Sequence, residues 1–135
     1  MNIDAYNVYE IELGDNKSLK VDCSYEDVSI ISTLVNNEIT YSFDVTPDYL
    51  SAMAKAIAYV LKLNNKDIKV TRNISNEPSW RYSILFYNNI LALFYIEDGC
   101  KDACSKIEIK IEDNEIEKLM NFFDIISNLE KSNGN

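Results

Sequence analysis

The chain has 135 residues, of which 47% are hydrophobic, and carries a formal charge of −9, no histidine and only three glycines. That length and composition suit one folded domain with its own core. The missing histidines exclude serine–histidine and cysteine–histidine nucleophile pairs and the usual histidine-based metal sites, and three scattered glycines exclude a glycine-rich phosphate loop.

The first 35 residues predict three strands. Residues 6–23 alternate apolar and polar side chains on both sides of a turn cluster at residues 14–17, a pattern typical of a β-hairpin. A second turn is predicted at residues 25–27. The largely apolar residues 28–35 then predict the third strand.

A fourth strand follows a tight turn. Asn36 and Asn37 predict a two-residue hairpin turn, because asparagine tolerates the positive φ angles that such turns require. Residues 38–45 then alternate strictly, which predicts a half-buried strand. Four apolar residues are predicted to share its buried face: Ile39, Tyr41, Phe43 and Val45.

Residues 47–63 predict the first helix. Thr46 is expected to cap it through the hydroxyl, Pro47 suits the first turn, and Asp48 complements the positive end of the helix dipole. The apolar stripe of this helix comprises Leu50, Met53, Ala54, Ile57, Val60 and Leu61. The helix is expected to end at Asn64-Asn65.

The second half repeats this order. Strands are predicted at residues 68–74, 80–87 and 90–96, with a loop at residues 76–78 and a hairpin turn at Asn88-Asn89. The almost wholly apolar residues 90–96 predict a strand covered on both faces. One face of the 80–87 strand carries Trp80, Tyr82, Ile84 and Phe86, and the other carries Arg81, Ser83, Leu85 and Tyr87.

The last elements complete an α+β fold of order ββββα-ββββα, with antiparallel sheets and two covering helices. A polar loop is predicted at residues 97–105, a strand at 106–111 and a helix at 113–129, and residues 132–135 are expected to be a frayed tail. Residues 1–131 are predicted to form a single domain, with 1–65 and 66–131 as its candidate halves.

Seven apolar pairs recur at a spacing of 66 residues, and they favour either an internal duplication or one domain with two similar strand–helix units. The pairs are Tyr41 and Ile107, Phe43 and Ile109, Val45 and Ile111, Leu50 and Ile116, Met53 and Leu119, Ile57 and Phe123, and Val60 and Ile126.

The negative charge is concentrated in the first 60 residues, which contain ten acids and three bases. Acidic surfaces attract basic partners and repel phosphate backbones. Our leading hypothesis is a cytoplasmic, bacterial or phage binding protein of the immunity, anti-defence or inhibitor type. It would neutralise a basic protein or a nucleic-acid-handling complex, as a nucleic-acid mimic. The candidate acidic surface comprises Asp22, Glu26, Asp27, Asp44 and Asp48.

The second hypothesis concerns the aromatic strand at residues 80–87. Trp80 and Tyr82, with Arg81 between them, could stack and hold single-stranded bases. In its order of elements, the paired ββββα pattern resembles the Whirly and PUR-type single-strand-binding folds, and that resemblance implies single-strand nucleic-acid binding. Four further basic residues could extend Arg81 into a positively charged strip: Lys62, Lys66, Lys69 and Arg72. The same rings could instead anchor a protein partner.

Metal and redox chemistry are the remaining alternatives. Glu108 and Lys110 fit half of a metal-dependent hydrolase site, although alternating charges on an exposed strand explain them equally well. Carboxylates for a cation could come from the 97–105 loop, which contains Glu97, Asp98 and Asp102. Three cysteines, Cys23, Cys100 and Cys104, do not complete a structural zinc site.

We therefore predict no enzyme activity, cofactor or metal, and keep a homodimer as an alternative assembly. The chain has no apolar run near eighteen residues and no basic signal-peptide start, so we expect a cytoplasmic protein without a membrane partner.

Overall fold

The computed structural model describes residues 7–63, 70–73, 80–97 and 105–129, and side chains within 7–63, 81–97 and 105–129. The first sheet contains, in spatial order, β1 (Val8–Glu12), β2 (Lys17–Asp22), β3 (Ser29–Val35) and β4 (Glu38–Val45), and α1 (Pro47–Lys62) follows. The second sheet contains β5 (Val70–Asn73), β6 (Trp80–Tyr87), β7 (Ile90–Glu97) and β8 (Ser105–Lys110), followed by a 3-10 turn at Asp113–Glu115 and α2 (Ile116–Ser127).

The fold is α+β, in the predicted order ββββα-ββββα, with two separate four-stranded antiparallel sheets. In each sheet the strands lie side by side in chain order, so every described pair of neighbours is antiparallel. No helix in the described ranges is long and apolar enough to cross a lipid bilayer.

Three tight turns set the register of these sheets. The two-residue turns at Asn36-Asn37 and Asn88-Asn89 are confirmed. The first hairpin has a three-residue loop, residues 14–16, which contains a third pair of residues with positive φ. All six turn residues have φ between 53° and 66°, as type I′ turns require: Asp15, Asn16, Asn36, Asn37, Asn88 and Asn89. Asparagine and aspartate adopt this left-handed backbone more readily than other non-glycine residues. The strands therefore form tight hairpins without glycine at the positive φ angles.

The inner faces of both sheets and the two helices share one hydrophobic core. Ser51 Oγ of α1 donates a hydrogen bond of 2.7 Å to the Ser127 carbonyl of α2. The contact joins the start of α1 to the end of α2, and Lys62 at the end of α1 lines one pocket with Met120 near the start of α2, so the helices run antiparallel. Of the seven apolar pairs spaced by 66 residues, six are buried at both positions, and Tyr41 is the exception at 44% exposed.

A bulge in β4 explains why part of its predicted buried face is wrong. The register shifts between Thr33 and Leu34: Thr33 lies opposite Tyr41, whereas Leu34 lies opposite Ile39, so one residue of β4 is left without a partner. Thr40 is the extra residue, and its hydroxyl bonds back to the Thr33 hydroxyl (2.9 Å) and carbonyl (3.0 Å). Ile39 thereby joins the outer face with Leu34 and is 58% exposed, whereas Phe43 and Val45 are fully buried.

The start of α1 differs from the prediction. Thr46 is the N-cap residue and Pro47 opens the helix, but the Thr46 hydroxyl makes no cap bond to the helix. It lies 3.0 Å from Tyr82 Oη, which also accepts the Thr46 backbone N–H at 3.1 Å. The first ββββα unit comprises β1 to α1, and the second comprises β5 to α2. A phenol from the second unit thus binds the residue before α1, and the prediction that the Thr46 hydroxyl caps the helix is wrong.

The predicted helix over residues 113–129 also begins differently, with the 3-10 turn. The Glu115 carboxylate accepts the N–H of Glu112 at 3.0 Å and the N–H of Gly14, in the first hairpin turn, at 2.5 Å. Burial works to raise the pKa of Glu115, but these two hydrogen bonds and the positive charges of Lys17 and Lys118 bring that pKa below its ordinary value. Each helix start is therefore bound by a residue of the opposite unit.

The outer edge of β1 is partly closed by side chains. Cys23 N–H donates to the Asn7 carbonyl, and the alternating ladder then leaves the backbone groups of Val8, Glu10 and Glu12 pointing away from β2. Val8 N–H donates to Asn7 Oδ1 at 2.8 Å, and the Glu12 carbonyl accepts Lys118 Nζ at 2.6 Å. Two of the outward groups on this edge are thus already bonded.

β7 is only partly as predicted. Leu91 and Leu93 on its inner face and Ala92 on its outer face are buried, whereas Ile90 is 38% exposed and Phe94 is half-buried. The predicted helix end at Asn64-Asn65, the loop at residues 76–78, the tail and most of the 97–105 loop lie outside the described residues. Asp98, Cys100, Asp102 and Cys104 fall in that last stretch, and Cys23 is buried.

Candidate binding site at the acidic end of the first sheet

The five predicted acidic residues lie at one end of the first sheet, which we call the acidic end. Asp22 closes β2, and Asp44 is the penultimate residue of β4. Glu26 and Asp27 lie in the connection from β2 to β3, and Asp48 lies in the first turn of α1. The end of β2, the start of β3 and the end of β4 meet at the same edge of an antiparallel sheet, so the chain order brings these acids together.

Two of these carboxylates share a row across the outer face. Asp22 and Asp44 both lie opposite Ile30 of β3, on either side of it. Their Cα atoms are therefore separated by two interstrand spacings, about 10 Å. Asp22 Oδ1 accepts the Ser24 N–H at 2.9 Å and the Ser24 hydroxyl at 2.5 Å, which fixes that carboxylate, and Asp44 is exposed.

A cleft of about 780 Å³ opens beside the acidic end, where β4 of the first unit comes close to β8 of the second. This volume lies within the range of small-ligand pockets, about 300–1,000 Å³. Asp27 and Asp44 contribute carboxylates, and Tyr82 and Tyr95 contribute rings. The remaining lining residues are Val28, Ser42, Val45, Thr46 and Ser105.

The aromatic wall of the cleft is held in place by contacts on its buried side. The ring of Tyr82 has its centroid 5.8 Å from those of Phe43 and Tyr49 and 5.4 Å from that of Tyr95, all in tilted arrangements. Tyr82 is only 4% exposed, and Tyr95 is half-buried with its hydroxyl donating to Glu97 Oε1 at 2.9 Å. Tyr95 therefore presents more ring surface to the cleft than Tyr82 does.

The carboxylates of the cleft are not neutralised from within the described ranges. Asp27 and Asp44 are both exposed, and neither forms a salt bridge or a side-chain hydrogen bond there. Fixed negative charge beside aromatic faces is a chemical environment that attracts a cation. The cleft therefore offers a cationic group both carboxylate oxygens and phenol rings.

Arg81 and Tyr82 do not share a surface. The structure describes only the backbone of Trp80. Tyr82 points into the core and Arg81 is exposed, since successive residues of a strand face opposite sides. Arg81 thus belongs to the outer face of the second sheet.

That outer face combines cations with apolar side chains. Arg81 lies opposite Ile96, and Phe94 lies between Ser83 and Lys106 in one row across β6, β7 and β8. On the same face of β8, Lys110 also projects outward and is exposed. The described part of this face therefore carries three positively charged side chains, Arg81, Lys106 and Lys110, and one negatively charged side chain, Glu108.

The alternative hydrolase residues lie on that exposed face. Glu108 and Lys106 form an ion pair of 3.0 Å, and their side chains are 42% and 50% exposed. Alternating charges on an exposed strand account for this arrangement. Across the described ranges, no group of three or more Cys, Asp or Glu residues is arranged to hold a metal ion.

Sequence reasoning did not find the role of Tyr95, but a signal for it exists. Counting outward from the Asn88-Asn89 turn pairs Tyr87 with Ile90 and, five steps further, Tyr82 with Tyr95. The two rings could therefore have been placed side by side from the turn alone. Their position beside Asp27 and Asp44 depends on how the two units pack, and no local pattern encodes that.

No family model matches the chain, and no curated protein matches it. Among solved structures, it is similar to a protein of unknown function from the DUF155 family of Prochlorococcus sp. NATL2A, with 10% identity, a TM-score of 0.46, and coverage of 89% of this chain and 98% of that one. It is also similar to MRP1/MRP2 of Trypanosoma brucei, with 11% identity, a TM-score of 0.41, and coverage of 88% of this chain and 82% of that one. Likenesses at this level carry no information about function.

Proposed function

We propose that this protein is a binding protein that neutralises a basic macromolecular partner, of the immunity, anti-defence or inhibitor type, and acts in the cytoplasm. The observation that carries the proposal is the gathering of Asp22, Glu26, Asp27, Asp44 and Asp48 at one end of the first sheet. Such a concentration of like charge on one surface accelerates encounter with a basic partner and makes binding sensitive to salt.

An aromatic residue in the same loop supports a protein partner. Tyr25 directly precedes Glu26 and Asp27 and is 51% exposed. Interface hot spots are enriched in tyrosine, because its ring buries a large area at a small cost in conformational entropy. Tyr25 is therefore the proposed anchor within the acidic end, and the surrounding carboxylates give the interface its charge selectivity.

The test is capture of partners from a lysate of the source organism at low and at high salt, followed by calorimetry with the purified partner. The double variant Glu26→Lys/Asp48→Lys should lose a basic partner that the wild-type chain retains at low salt. The matched control is Glu38→Lys/Glu117→Lys, which makes the same change in net charge at exposed positions away from the acidic end. Equal weakening by both variants would contradict a localised site.

A second candidate function, single-stranded nucleic-acid binding, is favoured by the outer face of the second sheet. Arg81, Lys106 and Lys110 are exposed there around the half-buried ring of Phe94. Cations beside an aromatic ring are the elements of a base-stacking surface. Filter binding of a labelled oligonucleotide at low salt should then show retention that falls in Arg81→Glu, and no retention by the wild-type chain would rule this function out.

A further inference from the structure

We propose that the cleft between β4 and β8 binds the guanidinium group of an arginine side chain. The inference rests on the proposed function, because the basic partner would present that arginine. The cleft would be a defined arginine-binding subsite within the acidic end. Asp44, Asp27 and Tyr95 are the groups proposed to hold the cation.

The carboxylates supply the first part of the argument. Asp27 and Asp44 line the same cleft from two different segments, the β2–β3 connection and the end of β4. Neither is engaged by a cation within the described ranges. A guanidinium has five N–H donors in a planar fork that matches carboxylate oxygens, so it suits the carboxylates that line this cleft.

The rings supply the second part. A guanidinium stacks on aromatic faces, and this attraction is stronger where water is partly excluded. Tyr95 lines the cleft half-buried, and its hydroxyl is bonded to Glu97, which fixes the orientation of the ring. Carboxylates and a ring that line one cleft suit a planar cation better than the compact, strongly hydrated ammonium of lysine.

The third part is that the cleft is already rigid. Val45 is fully buried, and the Thr46 backbone N–H is bonded to Tyr82, whose ring packs against Phe43 and Tyr95. The strand end that carries Asp44 is thus fixed before any ligand arrives. A preformed site avoids the entropic cost of ordering its own residues on binding.

The experiment is a titration of the isotopically labelled full chain, followed by amide NMR, with N-acetyl-arginine amide as the probe. The matched probes are N-acetyl-citrulline amide, which has nearly the same shape without the charge, and N-acetyl-lysine amide. We expect the largest shifts at the amides of Asp44, Val45, Thr46 and Ser105. Arginine should bind more tightly than lysine, and lysine more tightly than citrulline.

Two variants separate the cleft from surface charge elsewhere on the same strand. Asp44→Asn should weaken arginine binding about tenfold, equivalent to about 1.4 kcal/mol. Glu38→Gln, which removes the same charge at an exposed residue at the opposite end of β4, should leave the affinity within about twofold of wild type, since an exposed charge away from the contact contributes little. The amide spectra of the free variants report whether each one folds.

Three results would overturn the inference: citrulline binding as well as arginine, lysine binding as well as arginine, or Glu38→Gln weakening binding as much as Asp44→Asn. The proposed function fails separately. Capture of a basic partner by a chain that does not bind the arginine probe would refute the cleft alone. Probe binding at the cleft, with no basic partner captured, would refute the inhibitor function alone.

Discussion

The two helices occupy equivalent places in the two units, yet their starts are stabilised by different chemistry. At α1 a neutral phenol from the second unit, Tyr82, binds both the backbone and the hydroxyl of Thr46. At α2 a carboxylate, Glu115, binds the backbone of Gly14 from the first unit. A repeated topology therefore fixes where a contact between units must be made, while the residue that makes it is free to be neutral or charged.

The difference predicts how each contact responds to its surroundings. The contact at α2 depends on an ionised side chain with a lowered pKa, so acid should weaken it. The contact at α1 involves no carboxylate and should be insensitive to acid. Substitutions at the two helix starts can separate these behaviours.

The largest effect is expected at the charged start. Glu115→Ala leaves the N–H groups of Gly14 and Glu112 without their carboxylate acceptor. We expect the free energy of unfolding to fall by about 2–3 kcal/mol, the usual effect of losing hydrogen bonds to a charged group. Chemical denaturation measures it. The control is Glu117→Ala, an exposed residue of α2, and an equal loss in both variants would show that the contact with Gly14 contributes nothing.

Removing the neutral contact between Tyr82 and Thr46 at the start of α1 should lower the free energy of unfolding by a smaller amount. Tyr82→Phe keeps the ring contacts with Phe43 and Tyr95 but removes the oxygen that accepts the Thr46 N–H. A loss of about 1–2 kcal/mol is expected, since one part-buried donor loses its partner. Tyr87→Phe, at a residue that is 40% exposed, should change the same denaturation midpoint very little. A stability of Tyr82→Phe equal to that of wild type would contradict the assigned role of the hydroxyl.

Acid should reduce the difference between wild type and Glu115→Gln. Because the pKa of Glu115 is lower in the folded chain, its contribution is complete above the unfolded-state pKa, about 4.3, and is lost as the pH falls through the folded-state pKa. The gap in unfolding free energy between these two proteins should therefore stay constant from pH 7 to about pH 5 and narrow as the pH falls below the unfolded-state pKa of about 4.3. The gap between wild type and Tyr82→Phe should stay constant over that range. A constant gap for both variants would contradict the charged contact.

The smallest effect is expected at the partner of Glu115. A Cβ added at Gly14 would lie 3.6 Å from Glu115 Oε2, an ordinary van der Waals distance. Gly14→Ala should therefore stay within about 0.5 kcal/mol of wild type. Asn16→Ala in the same turn should cost more, about 1 kcal/mol, because that residue has a φ of 59°. Thermal unfolding of the two variants tests this order, and its reversal would place the strain of the turn at Gly14.

Local patterns predict the elements well because the determinants lie within a few residues of each other. The Asn36-Asn37 and Asn88-Asn89 turns follow from their φ requirements, and strand alternation gives the inner face of β6. Local patterns fail for Ile39, because a bulge depends on how β4 pairs with β3. They also fail for the Thr46 hydroxyl, whose partner Tyr82 lies 36 residues further along the chain.

Some residues of the candidate site can likewise be predicted from local sequence, and others cannot. The order of the strands is enough to place Asp22 and Asp44 at one end of the first sheet. The cleft itself needs β8 and its neighbours from the second unit, so it follows from packing between units rather than from any motif. That is why Tyr95 and Ser105 were not among the predicted site residues.

The bonded groups along the outer edge of β1 bear on how the protein behaves when it is crowded. An open strand edge is a template on which another chain can add a strand, and repeated addition leads to aggregates. Here Asn7 and Lys118 occupy outward positions of a five-residue edge that also bears the like charges of Glu10 and Glu12. An incoming strand would have to displace both bonds and approach two carboxylates, and both requirements disfavour the addition of a strand at this edge.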